Sequence, residues 1–175
     1  MAVTITGSAG VTTNSGAVYD SLQSATAQAS TSGTSIDFTS IPSWVKRITV
    51  MCSGVSLSAS ADLMFQIGSG SVTTSGYSST WGYIYTASSA AVNTTTSGII
   101  RAASLTSSTA WTGSVTLTLL TGNTWTATAV LGSTDKIITY ATGVLALGGT
   151  LDRVRVTSSS GTDTFDAGSI NILYE

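Results

Sequence analysis

Asp163 and Asp166 are the carboxylates placed closest to the spacing that acid–base chemistry on a glycoside would need, two acids held to either side of one bond. The same pair could begin an oxygen-ligand set for calcium. Both fall near the turn that opens the last apolar run, where aspartates more simply close a 158–169 loop by bonding its backbone. Histidine is absent from the 175 residues, which removes the usual general base, zinc ligand and triad partner. Cys52 is the lone cysteine and lies on the apolar side of an alternating run, the position of a buried thiol. No spacing motif couples a serine to Lys46 or Lys136. The expectation is a protein that is not an enzyme, with no catalytic residues, no metal and no cofactor.

Binding chemistry is better represented. Tyr77, Trp81, Tyr83 and Tyr85 could stack on a host sugar, although aromatics at strand spacing more often fill a core. Arg47, Arg153 and Arg155, with Lys46, make up most of a small basic inventory. If the strands that carry them are neighbours, they form one subunit-contact patch opposite Asp37 and Asp152. The plainer alternative is a solvated face with ion pairs worth about 0–1 kcal/mol each. Val3 and Ile5 are apolar anchors in a Gly/Ser/Thr-rich start that cannot bury itself, so they are candidate partner contacts.

The elements that must carry these residues are strands. Serine and threonine number 62, charged residues are 8% and net charge is −2, while 42% of residues are apolar. Disorder requires low hydrophobicity and high net charge, so this composition points instead to strands whose outward positions are Thr and Ser. Six scattered basic residues make no stripe for nucleic acid. No apolar run approaches the length that crosses a membrane, and no basic-then-apolar leader is evident. The sequon at Asn93-Thr-Thr95 has no meaning without a secretory signal.

Residues 36–51 hold the clearest pattern. A short extended run ends at Pro42, the sole proline, and an alternating strand follows with Trp44, Lys46, Ile48, Val50 and Cys52 on one face. Leu63, Phe65 and Ile67 share a face, as do Trp81, Tyr83 and Tyr85. Residues 99–105 and 136–146 also read as strands. Val115, Leu117 and Leu119 are answered across Thr121-Gly122-Asn123 by Trp125, Ala127 and Ala129, a hairpin. Val154 and Val156 point in while Arg153 and Arg155 point out, and Ile170, Ile172 and Tyr174 point in. Residues 17–30 fit a helix face or a polar strand, with Thr and Ser density favouring strand. Eight to ten strands with glycine-rich turns predict an all-β protein. Its expected form is a single jelly-roll-like antiparallel β-sandwich over 24–175 with an extended N-terminal arm over 1–23, residues 1–16 holding at most one short strand.

Three pieces carry a resemblance: residues 36–51, Gly149-Thr-Leu-Asp-Arg-Val-Arg-Val-Thr157 and Asp163-Thr-Phe-Asp-Ala-Gly-Ser-Ile-Asn-Ile172. Together they resemble a domain of tailed-bacteriophage structural proteins, often found at the C-terminal end of tail-fibre-type proteins. The resemblance spans roughly 24–175 and is looser over 55–147. It implies a jelly-roll-like sandwich that assembles as a homotrimer on the virion. With only about 20 residues before the matching part, a small stand-alone particle protein is favoured. The expected function is a capsid decoration (cement) protein on the phage major capsid protein. The alternative is a tail-fibre or head-fibre tip that contacts tail proteins and recognises a host-surface glycan, and a free carbohydrate-binding module comes third. No nucleic-acid or membrane partner is expected.

Overall fold

The computed structural model describes residues 22–85, 89–104 and 106–175, together with the backbone of 4–6, 10–13 and 16–17. Every strand pairing is antiparallel, and no helix occurs among the described residues. Three short strands come first: β1 (Thr4–Thr6), β2 (Gly10–Thr13) and β3 (Gly16–Ala17), paired in the order β1-β2-β3. Residues 1–16, expected to hold at most one short strand, therefore carry β1, β2 and the start of β3. They pair with one another because alternating Thr and Val favour strand while Gly and Asn break it into turn-sized pieces.

Two larger sheets form the sandwich. The chain continues through β4 (Gln23–Ser24), β5 (Gln28–Ala29), β6 (Ser35–Thr39), β7 (Arg47–Leu57), β8 (Leu63–Ser69) and β9 (Ser71–Val72). Then come β10 (Ser78–Tyr85), β11 (Ser89–Thr95), β12 (Ile100–Ala102), β13 (Trp111–Thr121), β14 (Thr124–Ser133) and β15 (Ile137–Ala146). The last two are β16 (Arg153–Ser158) and β17 (Phe165–Tyr174). The large sheet runs β11-β10-β15-β14-β13-β7-β17-β4, with β5 also on β17. The small sheet runs β12-β8-β16-β6, with β9 on β8. The chain passes repeatedly from one sheet to the other, and the described part of residues 17–30 supplies strands, not a helix.

Side-chain alternation explains the core. Ile48, Val50 and Cys52 of β7, Val115 and Leu117 of β13, and Ile170 and Ile172 of β17 are buried from the large sheet. Phe65 and Ile67 of β8 with Val154 and Val156 of β16 meet them from the small sheet. Trp111, Phe165 and Leu63 fill the interior with almost no exposure. The 13–14 hairpin has the expected pairing, Val115 opposite Ala129, Leu117 opposite Ala127 and Leu119 opposite Trp125. Truncating Val154 to alanine removes buried methyls from this layer, and chemical denaturation should show a loss of about 1–3 kcal/mol.

One detail of the central strand differs from expectation. Trp44 does not extend the inward face of Ile48. The segment after Pro42 turns, with the Val45 N–H donating to the Pro42 carbonyl at 3.1 Å, and β7 begins only at Arg47. Val45 is therefore the buried residue, while Trp44 is half-buried with its ring 6.0 Å from that of Tyr174. A turn breaks the two-residue period on which the face assignment depended.

Candidate functional site

The charged candidates fall into separate pairs. Arg155 on β16 grips Asp37 on β6 through two hydrogen bonds, Nε at 2.7 Å and Nη2 at 2.6 Å. Arg153 bonds its neighbour Asp152 through Nε at 2.8 Å, and that hydrogen bond holds the Asp152 carboxyl below its ordinary range. Arg47 lies on β7 and pairs with Glu175, so it sits in the other sheet from Arg153 and Arg155. The single basic patch is thus overturned. Strands β7 and β16 are not neighbours, and each arginine has its own carboxylate. Val3 lies outside the described residues, and the backbone of Ile5 pairs with Val11.

Asp163 precedes β17 and Asp166 lies within it. Asp166 accepts a hydrogen bond from the Ser56 hydroxyl. The 158–169 loop is closed by serines instead. Ser158 Oγ accepts from the Gly161 N–H, and Ser160 Oγ accepts from the N–H groups of Thr162 and Asp163. Among the described residues no three His, Cys, Asp or Glu side chains gather as a metal site. Cys52 is buried, and desolvation pushes its thiol up to about 12, so it carries no thiolate at neutral pH.

The four aromatics divide. Tyr77 is 2% exposed, and its hydroxyl donates to the Thr73 carbonyl at 2.7 Å and accepts from the Ile67 N–H at 3.0 Å. A ring held this way cannot stack on a ligand, which corrects its candidacy. Trp81, Tyr83 and Tyr85 share a face of β10 as expected, but that face looks into the sandwich. Trp81 is buried, with its ring 6.2 Å from Tyr83 and nearly parallel to it. Arg101 of β12 lies 5.5 Å over Trp81 while its Nε holds Asp62 at 2.7 Å. The bridge from Asp62 through Arg101 to Trp81 links the two sheets, and nothing in the spacing of these residues signals it.

Beneath β12, Ser79 Oγ, Trp81 Nε1 and Thr139 Oγ1 are buried and make no hydrogen bond. An unpaired buried hydroxyl costs stability, so the apolar isostere should be tolerated or better. We expect Thr139→Val to leave the unfolding free energy unchanged or raise it by about 1 kcal/mol. A clear loss in a denaturant melt would show that the hydroxyl bonds a buried water.

What sequence reading missed is on the outer side of the large sheet. The register aligns Thr94, Thr80, Thr142, Thr128, Thr116 and Thr49 across six neighbouring strands, one threonine per strand. The next row places Val92, Gly82, Tyr140 and Val130 side by side, with Ile84 opposite Ile138 beyond it. These apolar side chains are exposed: Val92 75%, Val130 55%, Ile84 52%, Tyr140 50% and Ile138 43%. Gly82 leaves a hollow of about 500 Å³ bordered by Thr80, Ile84, Val92, Tyr140 and Thr142. A Cβ at Gly82 would come within 2.9 Å of the Ala91 carbonyl, so glycine is also what lets β11 approach.

Fold and surface together define a class: an all-β antiparallel sandwich with a broad uncharged face on its large sheet. Compared with known proteins, the chain matches no family model, no curated protein and no solved structure.

Proposed function

We propose that this chain is a non-enzymatic structural protein of a tailed-phage particle, working as a homotrimer that decorates the shell by gripping the major capsid protein. One observation carries the non-catalytic half of this reading. The outer face of the large sheet is threonine and apolar, with no charged residue on β10, β11, β13, β14 or β15, a surface made to be covered and not one that moves protons or binds metal. The phage assignment rests on the sequence resemblance. Its three segments, the first separated from the other two by residues 52–148, fold into β6 with β16 and β7 with β17, two directly paired couples.

The hollow beside Tyr140 favours one other reading, a tail-fibre or head-fibre tip that holds a host-surface glycan against an aromatic ring flanked by Thr80 and Thr142 hydroxyls. Electron microscopy of labelled particles separates the two. Decoration predicts many copies spread over the shell, and a tip protein predicts a few at the tail or on fibres. A chain lacking residues 2–16, which include Val3 and Ile5, is expected to fold and trimerise yet no longer attach. Full occupancy by that truncated chain would remove the N-terminal segment from the contact.

A further inference from the structure

The outer face of the large sheet has a composition that a freely solvated face does not need. The outward positions of β10, β11, β13, β14 and β15 include no charged residue. The charges lie elsewhere or at its rim: Arg153, Arg155 and Asp37 on the small sheet, Arg47 with Glu175 at the far side of the large one, and Asp135 with Lys136 in the turn that leads into β15. Charge on a surface keeps copies of a soluble protein apart, and this face has none to do so. Five strands about 4.8 Å apart and roughly 20 Å long present on the order of 500 Å². A neighbour that covers this face brings the area buried on the two partners to about 1,000 Å², the lower bound for a specific protein contact.

The edge of the same region is also unguarded. Strand edges are normally blunted by shortness, charge, proline or a bulge. At the opposite edge of the large sheet, β4 and β5 are two residues each. On the small sheet β9 has two residues, β12 has three and β6 carries Asp37. Strand β11 instead runs seven residues, Ser-Ala-Ala-Val-Asn-Thr-Thr, in unbroken register with β10. Its exposed Val92 begins the apolar row that crosses Gly82 to Tyr140 and Val130.

We propose that this face, centred on Val92, Ile84, Tyr140, Ile138 and Val130, is where copies of this chain meet. A second copy fits it because an uncharged surface can meet a different patch of its neighbour, as a closed ring of three requires, without like-charge repulsion, and the apolar row supplies a dry centre ringed by threonine hydroxyls. This rests on the homotrimer reading and gives it a surface.

The test is the mass in solution of the whole chain, by sedimentation velocity at micromolar concentration, for the unaltered protein and for Val92→Lys, Val130→Lys and Leu120→Lys. Leu120 is 66% exposed on the 13–14 hairpin, outside the apolar row, and serves as the control. All three positions are exposed, so each variant should keep its melting transition, and two variants within the row guard against misfolding of either. The expected result is an associated parent and Leu120→Lys variant, with association weakened at least about 30-fold by lysine at 92 or 130. A parent that stays associated while both row variants also stay associated overturns this surface and leaves the trimer standing. A monomeric parent overturns both.

Discussion

Gly168→Ala is expected to cost about 3–5 kcal/mol, among the largest effects available to a single methyl group in this protein. The reason is a bulge at the middle of the sheet. Strand β7 has an extra residue at Gly54, so that Ser53 and Ser56 face Ser169 and Ala167, three steps against two. The same bulge shifts β7 against β13, where Cys52 and Val55 face Gly113 and Trp111. Gly168 crosses it with φ of 94°, and a Cβ there would sit 2.4 Å from the Gly54 carbonyl oxygen and 2.6 Å from the Val55 nitrogen. Both are backbone atoms with no rotamer to change, so β17 must leave β7 to make room. Gly161→Ala separates collision from conformation, because φ there is 73° but a Cβ meets open space. That variant should cost only about 1–2 kcal/mol. Equal losses at both positions in urea melts would show that the close approach at Gly168 is not what the fold depends on.

Base should unfold the protein well before it harms an ordinary sandwich. Desolvation pushes Cys52 from 9.0 up to about 12 and Tyr77 from 10.0 up to about 12. Both groups are neutral when protonated, and both hold their proton more tightly folded than unfolded. Their contribution is therefore fully present below the unfolded values and is lost as pH rises from about 9 towards 12. A gap of about three pH units for the thiol corresponds to roughly 4 kcal/mol, and about two for the phenol to roughly 3 kcal/mol. Stability measured by urea should fall steeply between about pH 9 and about pH 12. Cys52→Ala should start lower, having lost packing between β13 and β17, but fall less over the same interval. A parent whose urea midpoint is flat across that range would refute the buried-acid account of both residues.

Much of the layering is legible in the residue order. Alternation at Arg153, Val154, Arg155 and Val156 fixes which side chains share a face, because successive residues of a strand point to opposite sides. The same logic located the hairpin, since Thr121-Gly122-Asn123 separates two apolar alternations of matching length. It failed where local pattern was weak or competed with a turn. Strand β11 has no large inward side chain to announce it, and at Trp44 a turn after Pro42 broke the period. Tyr77 has the composition of a binding aromatic, and only the approach of Ile67 and Thr73 turned it into a core residue with a satisfied hydroxyl.

The amino-acid sequence by itself determined the all-β class, most of the core and the absence of histidine chemistry, because these depend on residue type and on a two-residue period. The tertiary structure alone decided which strands became neighbours. It set Arg47 in one sheet and Arg153 with Arg155 in the other, dissolving a basic patch into separate ion pairs. It also aligned six threonines from six strands into one row beside Val92, Tyr140 and Val130. Cross-strand register links residues tens of positions apart, and a shift by one residue would turn each side chain to the other face, so no local pattern can specify the row.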